Sequence, residues 1–135
     1  MRNATAGIAA VLAATLLTRC STSDSSNAAT EKVLGVCEDL GVQPDGTGTW
    51  NDGSSAGWAG MARLQNNVAN QAASAAVTDP RWNRLADALG DVASIAQRYA
   101  HATPAPSELT AEDSTTVSES GVIVPAECRK VFAAA

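Results

Sequence analysis

The hydrophobic pattern is sharpest over residues 79–100, where Trp82, Leu85, Leu89, Val92, Ala96 and Tyr99 return at alternating steps of three and four. That spacing puts them on one stripe of an α-helix. Asp79 and Pro80 specify its start, since a carboxylate accepts from a free backbone N–H and proline suits the first helical position, whose N–H has no partner. Upstream, residues 58–77 carry a second stripe of Trp58, Met61, Leu64, Val68, Ala72 and Ala75, with Arg63, Gln65, Asn66, Asn67 and Asn70 mostly on the other side. The break between them at Thr78, Asp79 and Pro80 is tight, because the proline ring disfavours a helical Asp79. Two long helices joined so closely run antiparallel, so the pattern predicts a helical hairpin. Toward the joint the facing residues are Ala72, Ala73, Ala75, Ala76, Ala86 and Ala88. Such small side chains bring backbones close and leave little volume for a ligand.

The flanks are weaker. Thr30 is placed to cap a short helix over 31–40, with Val33, Val36, Cys37 and Leu40 on one face and Gly41 after its end. At the other end of the chain Val122, Ile123 and Val124 precede Pro125, which is suited to open a closing helix that places Cys128, Val131 and Phe132 on one face. Residues 41–57 hold two turn signals, Pro44-Asp45-Gly46 and Asn51-Asp52-Gly53, and read as a loop pinned by Trp50. The alternating oxygens of Asp45, Thr47, Thr49 and Asn51 include too few carboxylates for a calcium loop. Residues 21–29 are small and polar, and 103–121 are rich in Pro, Ser, Thr and acids with no apolar period. They read as a flexible tether and a flexible linker. The expected fold is therefore all-α: an antiparallel helical hairpin with a short helix at each end.

Residues 1–19 have the layout of an export signal, with Arg2 ahead of an uncharged, mostly apolar run from Ala4 to Leu17. The run is shorter than the roughly 20 residues a membrane span needs. It leads into Leu17-Thr18-Arg19-Cys20, which resembles the lipobox of bacterial lipoproteins: Leu17 and Thr18 fit, whereas Arg19 stands where that family carries Gly, Ala or Ser. The resemblance implies cleavage before Cys20 and acylation of its thiol, with 20–29 as tether and 30–135 as a single small domain. Together with the alanine-rich, Ser/Thr/Pro-bearing remainder, the chain resembles small cell-envelope lipoproteins of actinobacteria. A single acyl chain holds a protein only marginally, so such anchors carry more than one.

Three cysteines are present, Cys20, Cys37 and Cys128. If Cys20 carries lipid, the other two are left to pair in an oxidising compartment, the alternative being two buried free thiols. With one histidine, His101, these residues make no zinc set at any usual spacing, and no metal or other cofactor is expected. His101 falls at the end of the second long helix, where the helix dipole favours a cation. Of nine Lys and Arg, Arg2 and Arg19 lie in the leader, leaving seven against 14 Asp and Glu, a net −7. No cationic cluster exists, so nucleic acid is excluded as a partner.

No nucleophile with its base, carboxylate pair or phosphate loop occurs at usable spacing, which argues against an enzyme. The expectation is a non-catalytic interaction or structural module, membrane-anchored on the extracytoplasmic face or else secreted, contacting an envelope protein or a glycan. The alternative is a carrier of a small apolar ligand, a lipid or haem, between the long helices, with Trp50, Trp58, Trp82 and Tyr99 as candidate contacts for a ligand or partner. Haem would need an axial ligand, and Tyr99 and His101, two apart, lie on different helix faces.

Overall fold

The computed structural model describes residues 20–46 and 50–135. These form four helices with no strand among them: α1 (Cys20–Asp39), α2 (Gly57–Thr78), α3 (Asn83–His101) and α4 (Ala111–Ala134). The leader at 1–19, and Thr47 and Thr49 of the calcium reading, lie outside the described residues.

α2 and α3 form the expected antiparallel hairpin. Its seam buries Met61, Val68, Ala72 and Ala75 from α2 against Leu85, Leu89, Val92 and Ala96 from α3. Leu64 and Trp58 are half-buried at its margins. The joint is one 3₁₀ turn, Pro80–Trp82, whose cap is Asp79: its side chain accepts from the Arg81 backbone N–H at 3.2 Å. One stripe assignment fails. Gln65 is fully buried, because its Nε2 donates to the Asp52 carbonyl at 3.0 Å and holds the 50–53 turn on α2.

The flanking helices are long, not short. α1 has 20 residues and runs back through 21–29, the stretch that composition reads as tether. Thr30 is not its cap, since the Thr30 hydroxyl donates to the Ser26 carbonyl one turn earlier, a bond available inside a helix. Tertiary contacts overcome the weak local propensity: Ala29 and Thr30 are buried, and Ser26 Oγ donates to Asp79 Oδ2 at 2.7 Å. The end of α1 follows the sequence closely. Gly41, at φ 68°, takes the left-handed conformation; its N–H donates to the Glu38 carbonyl and that of Val42 to the Cys37 carbonyl, a Schellman motif.

α4 has 24 residues and begins at Ala111, so most of the expected linker is helix and only 102–110 is irregular. Its N-cap is Thr110, whose side chain accepts from the Asp113 N–H, and Glu112 and Asp113 in the first turn suit the helix dipole. Pro125 does not open the helix but lies inside it, where it can give no N–H to the Gly121 carbonyl. α4 packs along α3 and α1. The Cys37–Cys128 disulfide, with both residues fully buried, joins α1 to α4 across 91 positions of sequence.

Candidate functional site

The four aromatic candidates do not surround one space. Trp82 is 2% exposed at the start of the hairpin's second arm, while Tyr99 lies 17 residues on, about 25 Å along a helix. Trp50 packs half-buried on the core beside Gly121. Only Trp58 and Tyr99 meet, with ring centroids 4.6 Å apart and planes inclined at 43°.

Around that pair lies the best-organised polar cluster among the described residues. Tyr99 Oη donates to Asp113 Oδ2 at 2.9 Å and accepts from the Thr110 backbone N–H at 2.8 Å. Arg98 Nη2 donates to Asp113 Oδ1 at 2.6 Å. Trp58 Nε1 donates to the Pro106 carbonyl at 2.8 Å, strapping the 102–110 connection onto α2. The Arg98 guanidinium, chiefly through its hydrogen bond, holds the Asp113 carboxyl below its ordinary range; burial opposes this and the Tyr99 hydroxyl adds to it. The same bond raises the Arg98 pKa. Asp113 is thus an acceptor whose carboxyl is held below its ordinary range, with both oxygens occupied. It serves as a helix fastener, not as a general acid.

The remaining buried carboxylates are taken up in the same way. Glu127, 1% exposed, sits 2.8 Å from Lys130 Nζ and 3.5 Å from Arg84 Nη1. Asp79 would be raised by its partial burial, but hydrogen bonds from Ser26 and Arg81 outweigh that and hold it below its ordinary value. His101 is exposed, with Nδ1 2.8 Å from the Gln97 carbonyl at the end of α3. Among the described residues no group of three His, Cys, Asp or Glu is arranged to hold a metal, and no helix is long and apolar enough to cross a membrane.

Open clefts mark the surface of the described residues, and four of them bear on function. One of about 260 Å³ lies beside the Trp58 strap, lined by Ser54, Gly57, Trp58, Pro106 and Ser107. Another, about 360 Å³ between α3 and α4, includes Asp87, Asp91 and Glu119. The other two flank α1, against α4 and against α2. None of the four opens between α2 and α3, where the alternative reading, a carrier, would hold its ligand. The Trp58–Pro106 cleft was not foreseen, because it needs the 102–110 connection to fold onto α2. Its one advance signal is Thr110-Ala111-Glu112-Asp113, a helix-start pattern within the supposed linker.

The chain matches no family model, no curated protein and no solved structure.

Proposed function

We propose that the protein is an exported lipoprotein, anchored to the cell membrane through Cys20 on the extracytoplasmic face, and that it acts as a non-catalytic interaction or structural module of the cell envelope. The observation that carries this reading is the buried Cys37–Cys128 bridge. A structural disulfide suits an oxidising compartment, and it leaves Cys20 as the one cysteine not committed to it. The leader-like run and the lipobox-like residues ahead of Cys20 point the same way. The non-catalytic part is supported by the buried carboxylates, each engaged across helices: Asp113 by Tyr99 and Arg98 of α3, Glu127 by Arg84 of α3. A carrier of lipid or haem finds no specific support, since Trp82 and the Trp58–Tyr99 pair lie at opposite ends of the hairpin.

Fractionation of cells producing the wild type and Cys20→Ala tests the anchor. The wild type is expected with membranes and the variant in the soluble fraction. A variant that stays with membranes would defeat the reading.

A further inference from the structure

We propose that the lipid-anchored protein stands on the bilayer with its α2–α3 turn down, Val77, Pro80 and Arg81 seated on an anionic lipid surface and the Trp58 end directed away. This rests on the anchored reading above.

A flexible coil after the anchor would let the domain turn freely. Here Cys20 instead opens a continuous helix that is fastened to the rest of the bundle close to the anchor. Arg81 Nη2 donates to Ser26 Oγ at 3.1 Å and to Thr30 Oγ1 at 2.7 Å, Ser26 donates to Asp79, and Lys32 Nζ donates to Ser74 Oγ at 2.8 Å. The turn at 77–81 is therefore level with Ser26. Cys20 lies six residues earlier, about 9 Å further along the axis. A lipid inserted at Cys20 brings this end of the bundle, and no other, within reach of headgroups.

What the turn presents fits that surface. Val77 is 88% exposed, more than any other large apolar residue described, although it stands at the end of the best-packed hairpin in the fold. Pro80 and Arg81 beside it are exposed. Charge separates the two ends. Around the turn Lys32, Arg81, Arg84 and Lys130 stand with Asp24, Glu31, Asp79 and Glu127, four of each sign, Arg81 Nε lying 2.7 Å from Asp79 Oδ2. Toward the other end stand Glu38 and Asp39 at the close of α1, about 20 Å from the level of Ser26, and Glu108, Glu112 and Asp113 at the start of α4, against Arg63 and Arg98. The 22-residue α2 spans about 33 Å, several Debye lengths at physiological salt, so with the turn down the acidic far end lies outside the field of an anionic bilayer, whereas the inverted pose would bring it into repulsion.

The test uses the lipidated mature protein, starting at Cys20, reconstituted into vesicles of phosphatidylglycerol and phosphatidylcholine that contain a lipid-borne fluorescence quencher. An environment-sensitive fluorophore is attached at Val77→Cys in one preparation and at Glu108→Cys in another, both exposed positions. Severalfold stronger quenching at position 77 than at 108 is expected. Equal quenching, stronger quenching at 108, or none at either site in protein that floats with the vesicles overturns the orientation while leaving the anchor standing. Protein that carries no acyl group and does not float overturns the anchor itself, and the orientation with it.

Discussion

Removing the disulfide by Cys37→Ala together with Cys128→Ala has a cost that follows from its place in the chain. The bridge closes a loop across 91 positions. Restricting the unfolded chain over such a loop stabilises the native state by about 4 to 5 kcal/mol in the chain-entropy treatment. The two cysteines are fully buried between α1 and α4, so truncation also leaves a small void, which adds to the loss. Domains of this size have a total stability of roughly 5 to 15 kcal/mol. The double variant should therefore lose a third or more of its stability, and its melting temperature should fall by roughly 15 to 30 °C. Urea unfolding followed by far-ultraviolet circular dichroism and by tryptophan fluorescence measures this directly, with a reduced m-value betraying a more compact unfolded state in the bridged protein. Both probes should report a single coincident transition. A loss below about 1 kcal/mol would refute the reasoning, because it would mean that α1 and α4 are held by packing and hydrogen bonds alone.

Other perturbations probe the rest of the bundle. Trp82→Ala should cost about 3 to 5 kcal/mol, whereas Trp82→Phe, which keeps most of the bulk and deletes an indole N–H that has no partner, should cost less than about 1.5 kcal/mol; calorimetry that finds the two equal would argue against burial as the cause. Asp113 and Asp79 both have folded pKa values below their unfolded ones, so the unfolded chain binds more protons and stability is lost as pH falls from about 4 through the folded values. Asp113→Asn should flatten that acid limb in a melting-temperature titration, and an unchanged limb would show that the Arg98–Asp113–Tyr99 cluster is not coupled to folding. Gly90→Ala on α3 meets no atom and should stabilise by about 0.5 to 1 kcal/mol. Gly60→Ala on α2 should destabilise, since the added methyl collides with the Ala56 side chain, and denaturant midpoints moving in the same direction would contradict that contrast.

The hairpin was legible in the sequence because its seam is written in apolar residues at three-four spacing and its joint in Asp79 and Pro80. α4 was not, although it too has an inward stripe, buried at Asp113, Ser120, Val124, Cys128 and Val131 and half-buried at Val117. Two of those positions are polar, and hydrophobicity gives no hint that Asp113 would be received by Tyr99 and Arg98 or that Ser120 Oγ would donate to the Ala88 carbonyl at 3.2 Å. A stripe whose polar members find partners only in the folded state is silent to an apolar count. The first half of α1 escaped notice for a similar reason, as Ser26 and Thr30 acquire their helix-fixing partner, Arg81, from a distant turn. Tyr99 was read as bulk in the seam, and it is that, but its hydroxyl also ties α3 to the start of α4. The Cys37–Cys128 pairing was within reach, since both residues sit on the apolar faces of their helices.

The most direct test of the account is the intact mass of the mature protein purified from membranes. It should correspond to a chain that starts at Cys20, carries an acylated glyceryl group, and lacks the two thiol hydrogens of a closed Cys37–Cys128 bridge. A chain that starts elsewhere, a Cys20 without lipid, or a mature protein in which Cys37 and Cys128 both take up a thiol reagent would contradict it.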